Sequence, residues 1–460
     1  MGWVVEGGTV VTAAGCFRAD VRVEGEQVEA VGRAVRQPGD RILDAGGCYV
    51  LPGGVDPHTH IEMPAGDGSY NADTWYTGTV AAAWGGTTTV IDMITPEPGR
   101  TLADALEDWR RRAAAGAVVD YGFHMGIISA TPAVLDEIPE MVRAGVPTFK
   151  LYLAYRSRGL MLEDRDVLRV LRAVAQAGGM ALVHAENGDV IDQLVAEAVA
   201  RGETAPRYHA ATRPAAAEAE ATARACRLAE IAGAPLYVVH VTCRESLEEI
   251  LRARERGQKV WAETCTHYLL FTASDLDRPG FAGAAWVLSP PLRTEADREA
   301  LWQALVRGEL QVVASDHCPW TLAHKQRGRE RFDLIPNGAP GVEERLPFVY
   351  TYGVLAGRLS LEAMVARLST EPARRFGLYP RKGTVAPGCD ADLVVWDPAP
   401  ERTWTAAAHH CGADLTPYEG MQVQGAVRHV LVRGSPVVRD GAFAGQAGYG
   451  AFVARQAAWS

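Results

Sequence analysis

Two histidines one residue apart, His58 and His60, stand in the segment Pro52-Gly53-Gly54-Val55-Asp56-Pro57-His58-Thr59-His60. On an extended chain alternate side chains project to the same side, so both imidazoles face one way. Further along, His184 ends the run Met180-Ala181-Leu182-Val183, His240 follows Leu236-Tyr237-Val238-Val239, and Asp316 follows Gln311-Val312-Val313-Ala314-Ser315. Lys150 lies inside the apolar stretch 146–153. Each of these polar groups sits at or near the end of a different strand-like run. Histidine and carboxylate donors without thiolates suit a hydrolytic zinc site. Lys150 is the odd member, because an ammonium repels a cation and costs several kcal/mol to bury unpaired. It must either pair with a carboxylate or react with CO2 to become a carbamate, an anionic oxygen ligand able to bridge two cations.

The elements that would position this set follow a regular order. Apolar strand-like runs cover residues 50–55, 87–93, 120–127, 148–153, 180–183, 236–240, 260–263 and 311–315, with helix-length segments between them at 102–115, 133–144, 165–177, 215–232, 246–256 and 296–306. Strands alternating with helices predict βα units around a parallel sheet. Eight of them predict a (β/α)8 TIM barrel of the α/β class, whose functional groups gather at the C-terminal ends of the strands. The first 50 residues and those after Gly383 read instead as short β-rich strands broken by turns, predicting one smaller β-sandwich domain built from both chain ends. The expected division is sandwich at 1–52, barrel at 53–382, sandwich again at 383–440, and a tail at 441–460.

Composition sets the outer limits. The chain has 460 residues, 48% hydrophobic and 22% charged, enough for ample cores and unlike a disordered or coiled-coil chain. Its net charge of −10 gives no basic face for nucleic acid. No apolar run reaches the ~18 residues of a membrane span, and the N-terminus lacks a basic region and cleavage site, so a soluble cytoplasmic protein is expected. The eight cysteines are scattered without a C-x-x-C pair, which argues against a disulfide framework or a thiolate cage.

The chain resembles the cyclic amidohydrolases, within the dihydropyrimidinase/hydantoinase family. The matching stretches are 53–64, 77–92, Phe149-Lys150-Leu151-Tyr152-Leu153-Ala154-Tyr155, and His184-Ala185-Glu186-Asn187-Gly188-Asp189. They continue through 237–241, 263–270, Ser289-Pro290-Pro291-Leu292-Arg293, Ser315-Asp316-His317-Cys318, Ile335-Pro336-Asn337-Gly338, 379–383 and 390–397. The resemblance implies two Zn2+ per subunit, replaceable by Mn2+ or Co2+. His58, His60 and Asp316 would hold one ion and His184 and His240 the other, with Lys150 carboxylated (N6-carboxylysine) between them. It further implies Asp316 as the proton shuttle, Tyr155 as the donor to the developing oxyanion, and Ser289 and Asn337 as the clasp on a small cyclic imide or ureide. A homotetramer is implied as well.

Within that family Ala65 departs from a commonly bulky aromatic, and His317 from Gln or Asn. Met63, Ala65, Ile94, Leu160 and Trp320 are expected to form the pocket for the substrate's exocyclic group. Phe443, Tyr449, Phe452 and Trp459 in the tail are expected to pack on a neighbouring subunit. The leading reading is hydrolysis of hydantoins or dihydropyrimidines to N-carbamoyl amino acids. The alternatives are an allantoinase on the same scaffold and a non-catalytic relative that has lost its metals.

Overall fold

The computed structural model describes residues 2–65 and 68–457. Eight strands lie side by side in sequence order: β1 (Gly54–Thr59), β2 (Thr87–Ile94), β3 (Asp120–Gly126), β4 (Thr148–Tyr152), β5 (Met180–His184), β6 (Leu236–Val238), β7 (Val260–Cys265) and β8 (Val312–Ala314). All seven neighbouring pairs are parallel. The ring closes just past β8, where His317 bridges Thr59 and its carbonyl accepts from His60 N–H at 2.8 Å. Arg345 reinforces the seam from below. It is 1% exposed, donates to Val313 O and Val55 O, and lies 3.4 Å from Asp56. Removing one partner of such a buried pair typically costs about 3–5 kcal/mol.

Alternation along the strands divides the core in two. In β2, Ile91 and Met93 join Val55, Met180, Leu182 and Tyr237 inside the barrel, while Val90 and Ile94 join the layer beneath the helices. Those helices, among them Leu102–Gly116, Asp164–Gln176 and Ala215–Ala232, cover the outside.

The two chain ends meet as expected. Leu393–Trp396 pairs antiparallel with Tyr49–Pro52, which also pairs with Thr9 and Val10, inside a seven-stranded sheet. A four-stranded sheet of Gln27–Gly32, Asp20–Glu24, Trp3–Glu6 and Arg41–Asp44 packs over it across Val5, Val21, Leu43, Val50, Leu393 and Leu431. The run read as one strand at 50–55 is therefore two, belonging to different sheets. The break is Gly53, where an added Cβ would stand 2.0 Å from Thr88 Oγ1, so only glycine passes between them. Lys382 ties the two parts together, its Nζ lying 2.8 Å from Asp120 of β3 and 2.6 Å from Asp392 beside the sandwich.

The tail runs back under its own barrel. Ala451 O and Val453 N bond the backbone of Tyr121, Val453 enters the barrel interior, and Arg455 is 3% exposed against Phe123 O and Thr148. Phe452 stacks 5.8 Å from Phe123, the Tyr449 hydroxyl donates to Val432 O, and Phe443 meets Tyr76. Trp459 lies outside the described residues.

Candidate active site

The six polar groups expected at strand ends meet at one mouth of the barrel. In β1, Pro57 and His58 stand opposite the single residue Ile91, because Asp56 pairs with Val90 and Thr59 with Asp92. A bulge of this kind shifts the alternation by one, so His58 faces the interior that Val55 already faces. Lys150 takes the inward side of β4, between outward Phe149 and Leu151. His184 is the last residue of β5, while His240 and Asp316 lie two residues past β6 and β8. His240 and Asp316 have φ of 39° and 48°, and Tyr155 beyond β4 has 68°. Such left-handed backbone in non-glycine residues costs on the order of 1–3 kcal/mol each and clusters at functional sites.

The donor atoms converge in two groups. Asp316 Oδ1 is 3.2 Å from Nε2 of both His58 and His60, and these three side chains form a set able to hold one cation. His184 Nδ1 and His240 Nε2 point at one another, 2.9 Å apart. Two inward-facing imidazole nitrogens meeting at one spot is the arrangement a shared cation requires. His58 Nε2 and His240 Nδ1 are buried without a hydrogen-bond partner, an orphaning that metal ligation would relieve for His58. The residues thus fit a metal centre of nitrogen and oxygen donors.

Electrostatics agree with that chemistry. Burial drives the imidazoles of His60, His184 and His240 toward the neutral, ligating form, His60 to about 4. Burial also pushes Asp316 upward, but His58 and His60 outweigh it and hold the carboxyl well below its usual range. Burial lowers the Lys150 amine to about 8, against the opposing pull of Asp316 and Glu263. Its Nζ forms no ion pair among the described residues and sits 5.4 Å from the Tyr152 ring.

The cleft above these groups is lined, besides the donors, by Tyr155, Ser289, Asn337, Met63, Leu160 and Arg158, together with Thr95, Tyr152, Cys318 and Gly338. Ser289 Oγ is a junction, accepting from Asn337 Nδ2 at 3.0 Å and meeting Tyr155 and, at 3.3 Å, His209. Backbone groups here are left over. Asn337 N–H and the N–H and C=O of Ser289 make no hydrogen bond among the described residues, so donors and an acceptor remain for a ligand.

Of the five residues expected around an exocyclic group, Met63 and Leu160 line the cleft. Ile94 does not, since the alternation of β2 sends it under the helices. Trp320 lies behind the wall, its indole donating to Asn337 O at 2.8 Å. Ala65 is held in a loop against Ser69 O, away from the lining.

Sequence reasoning passed over the residues that hold the donors in place. Glu263, in the C-terminal half of β7, accepts from His58 Nδ1 at 2.5 Å, and Glu186 meets His184 Nε2 at 2.8 Å. The same signal was present for Glu263, a carboxylate closing the strand-like run 260–263. The His184–Asp189 motif is partly structural. Asn187 caps the helix Gly188–Ala200, and a Cβ on Gly188 would strike Ala154 Cα at 2.8 Å. His317 accepts from Gly341 N–H and bonds Asp73 at 2.7 Å, anchoring the segment that carries Asp316.

Comparison with known proteins agrees with this geometry. Residues 49–437 match the amidohydrolase family. The chain is 46% identical over 454 residues to D-hydantoinases of Ralstonia pickettii and Geobacillus stearothermophilus, covering 98% of this chain and 98% and 96% of theirs. It superposes on a crystal structure of dihydropyrimidinase from Brevibacillus agri with a TM-score of 0.97 at 44% identity, over 99% of each chain. With the strand order, the donor set and these full-length likenesses together, the chain belongs to the amidohydrolase family, in its hydantoinase and dihydropyrimidinase branch.

Proposed function

We propose that the protein hydrolyses the ring amide of hydantoins and dihydropyrimidines, giving N-carbamoyl amino acids. The observation that carries this reading is the pairing of a six-residue donor set with unused backbone groups at Ser289 and Asn337 on one barrel mouth. A cyclic imide presents alternating N–H and C=O groups along one edge, and this clasp offers their complements. Full-length identity to D-hydantoinases supports the same reaction. It disfavours the allantoinase alternative, and the filled donor positions disfavour a scaffold that has lost its metals.

Two Zn2+ ions, one with His58, His60 and Asp316 and one with His184 and His240, would supply an activated water near neutral pH and polarise the scissile carbonyl. Lys150 would join the two as a carbamate: its neutral amine bonds the carbon of CO2 and releases one proton. The lowered basicity of the buried amine favours that reaction. Asp316, held ionised, takes the proton of the attacking water and returns it to the leaving ring nitrogen. Tyr155, whose phenol burial keeps protonated, donates to the developing oxyanion. Ser289 and Asn337 fix the ring so that its carbonyl faces the donors. A cytoplasmic homotetramer belongs to the same proposal; no helix among the described residues is long and apolar enough to cross a membrane.

The test is a panel of dihydrouracil, hydantoin, 5-phenylhydantoin and allantoin on the metal-loaded protein, scored by formation of the ring-opened acid. The hydantoins or dihydrouracil should be opened faster than allantoin. Preference for allantoin, or no turnover of any ring, would overturn the assignment.

A further inference from the structure

Outside the donor set, one buried cation serves no purpose assigned so far. Lys325 is 0% exposed, and no carboxylate lies within ion-pair reach among the described residues. Its Nζ donates instead to three carbonyls: Val287 at 2.9 Å, Pro336 at 2.7 Å and Gly338 at 2.8 Å. An ammonium has three N–H donors, so this saturates it. Burying it without a counter-charge costs several kcal/mol, which makes its position hard to explain by packing alone.

The three carbonyls are not a random selection. Val287 stands two residues before Ser289, while Pro336 and Gly338 flank Asn337. These two segments are remote in sequence and have little regular structure to hold them. Gly338 N–H also donates to Val287 O at 3.1 Å, and Asn337 Nδ2 reaches Ser289 Oγ at 3.0 Å. Turning the carbonyls of Pro336 and Gly338 toward Lys325, and that of Asn337 toward Trp320, leaves Asn337 N–H unspent beside the cleft.

We infer that Lys325 is the positioning residue of the ring-binding clasp, a staple that sets the spacing and orientation of Ser289 and Asn337. It touches neither donor set nor substrate and acts through these two backbones. The inference rests on the ring-binding role proposed above. It assigns the precision of that role to one buried ammonium.

Lys325→Met keeps the length of the side chain and removes its three donors. Measured on metal-loaded enzyme with hydantoin, KM should rise about tenfold or more, while kcat changes less and bound metal stays at the wild-type level. Combined with Asn337→Ala, which cuts the side-chain link between the halves, the effects on KM should be clearly non-additive, as for groups serving one unit. Should Lys325→Met fail to fold, Lys325→Gln, with two N–H donors, is read in its place and should show a smaller rise in KM. A folded, metal-replete Met or Gln variant with KM within twofold of wild type would overturn the inference, as would strict additivity with Asn337→Ala. Wild-type protein that opens no ring would sink the functional proposal and this inference with it; wild-type turnover with an indifferent Lys325 would sink only the latter.

Discussion

Glu263 Oε1 lies 2.5 Å from Nδ1 of His58, and its other oxygen accepts from the Tyr237 hydroxyl at 3.0 Å. The carboxylate is fully buried, on the strand before the one that ends near Asp316. A proton held on Nδ1 leaves Nε2 as the bare nitrogen, and Nε2 is the atom facing Asp316. One hydrogen bond therefore selects the tautomer and aims the ring. Carboxylate partners of this kind typically contribute about 10–100-fold to metal affinity. Glu263→Gln should weaken zinc binding by that order in a chelator competition, with the fold intact by circular dichroism. Unaltered zinc affinity would show that the tautomer is set elsewhere.

Lys150 gives a second prediction. Lys150→Ala should lose metal and activity together, because the bridging anion is gone while every histidine remains. Added acetate or propionate should restore part of both by supplying a carboxylate in the space the side chain vacated. Metal analysis and turnover, with and without the added acid, read the result. A variant holding two metals and working normally without rescue would remove the carbamate from the proposal.

The barrel and its donors were legible because they obey periodic rules. Strand alternation and the habit of ending apolar runs in a polar residue pointed to His58, His60, Lys150, His184, His240 and Asp316, and the structure brings all six to one mouth. What escaped was set by contacts between remote segments. Nothing local distinguishes Lys325 from any solvated lysine, since its meaning lies in three carbonyls more than ten residues away or on another loop. Ile94 was misplaced for a simpler reason: being near a strand's end does not say which side of the sheet a residue faces. Gly53 marked the split of the 50–55 run, yet only the approach of Thr88 shows why the chain changes sheets there.

The tail carries a third prediction. Cutting the chain after Asp440 removes Val453 from the barrel interior, the Phe452 stack, and the backbone bonds along Tyr121. Burial of a Val-sized side chain alone contributes about 1.5–3 kcal/mol. The truncated protein should melt at a lower temperature by calorimetry at a concentration where the full chain and the truncated chain have the same mass by light scattering. An unchanged melting temperature would mean that these contacts add nothing to the barrel.

The last prediction concerns the exocyclic group of the substrate. With Ile94 and Trp320 off the wall and Ala65 held aside, the aliphatic side chains left on the lining are Met63 and Leu160, beside Thr95, Tyr152, Cys318 and the exposed Arg158. Arg158 is exposed, stands over the Tyr155 ring at 5.5 Å, and forms no ion pair among the described residues. Apolar burial contributes ~25 cal/mol per Å2, so an aryl or alkyl group resting on Met63 and Leu160 should gain about one to a few kcal/mol over hydrogen. Hence 5-phenyl- and 5-isobutylhydantoin should exceed hydantoin in kcat/KM, and Leu160→Ala should shrink that lead. Exposed charge pairs typically contribute only about 0.2–1 kcal/mol, so a carboxylate on the 5-substituent should gain no more than a few-fold from Arg158. That gain should fade in high salt and vanish in Arg158→Ala, while the phenyl derivative is unaffected. Equal kcat/KM for hydantoin and its 5-phenyl derivative in the wild-type enzyme would show that the substituent rests on some other part of the cleft.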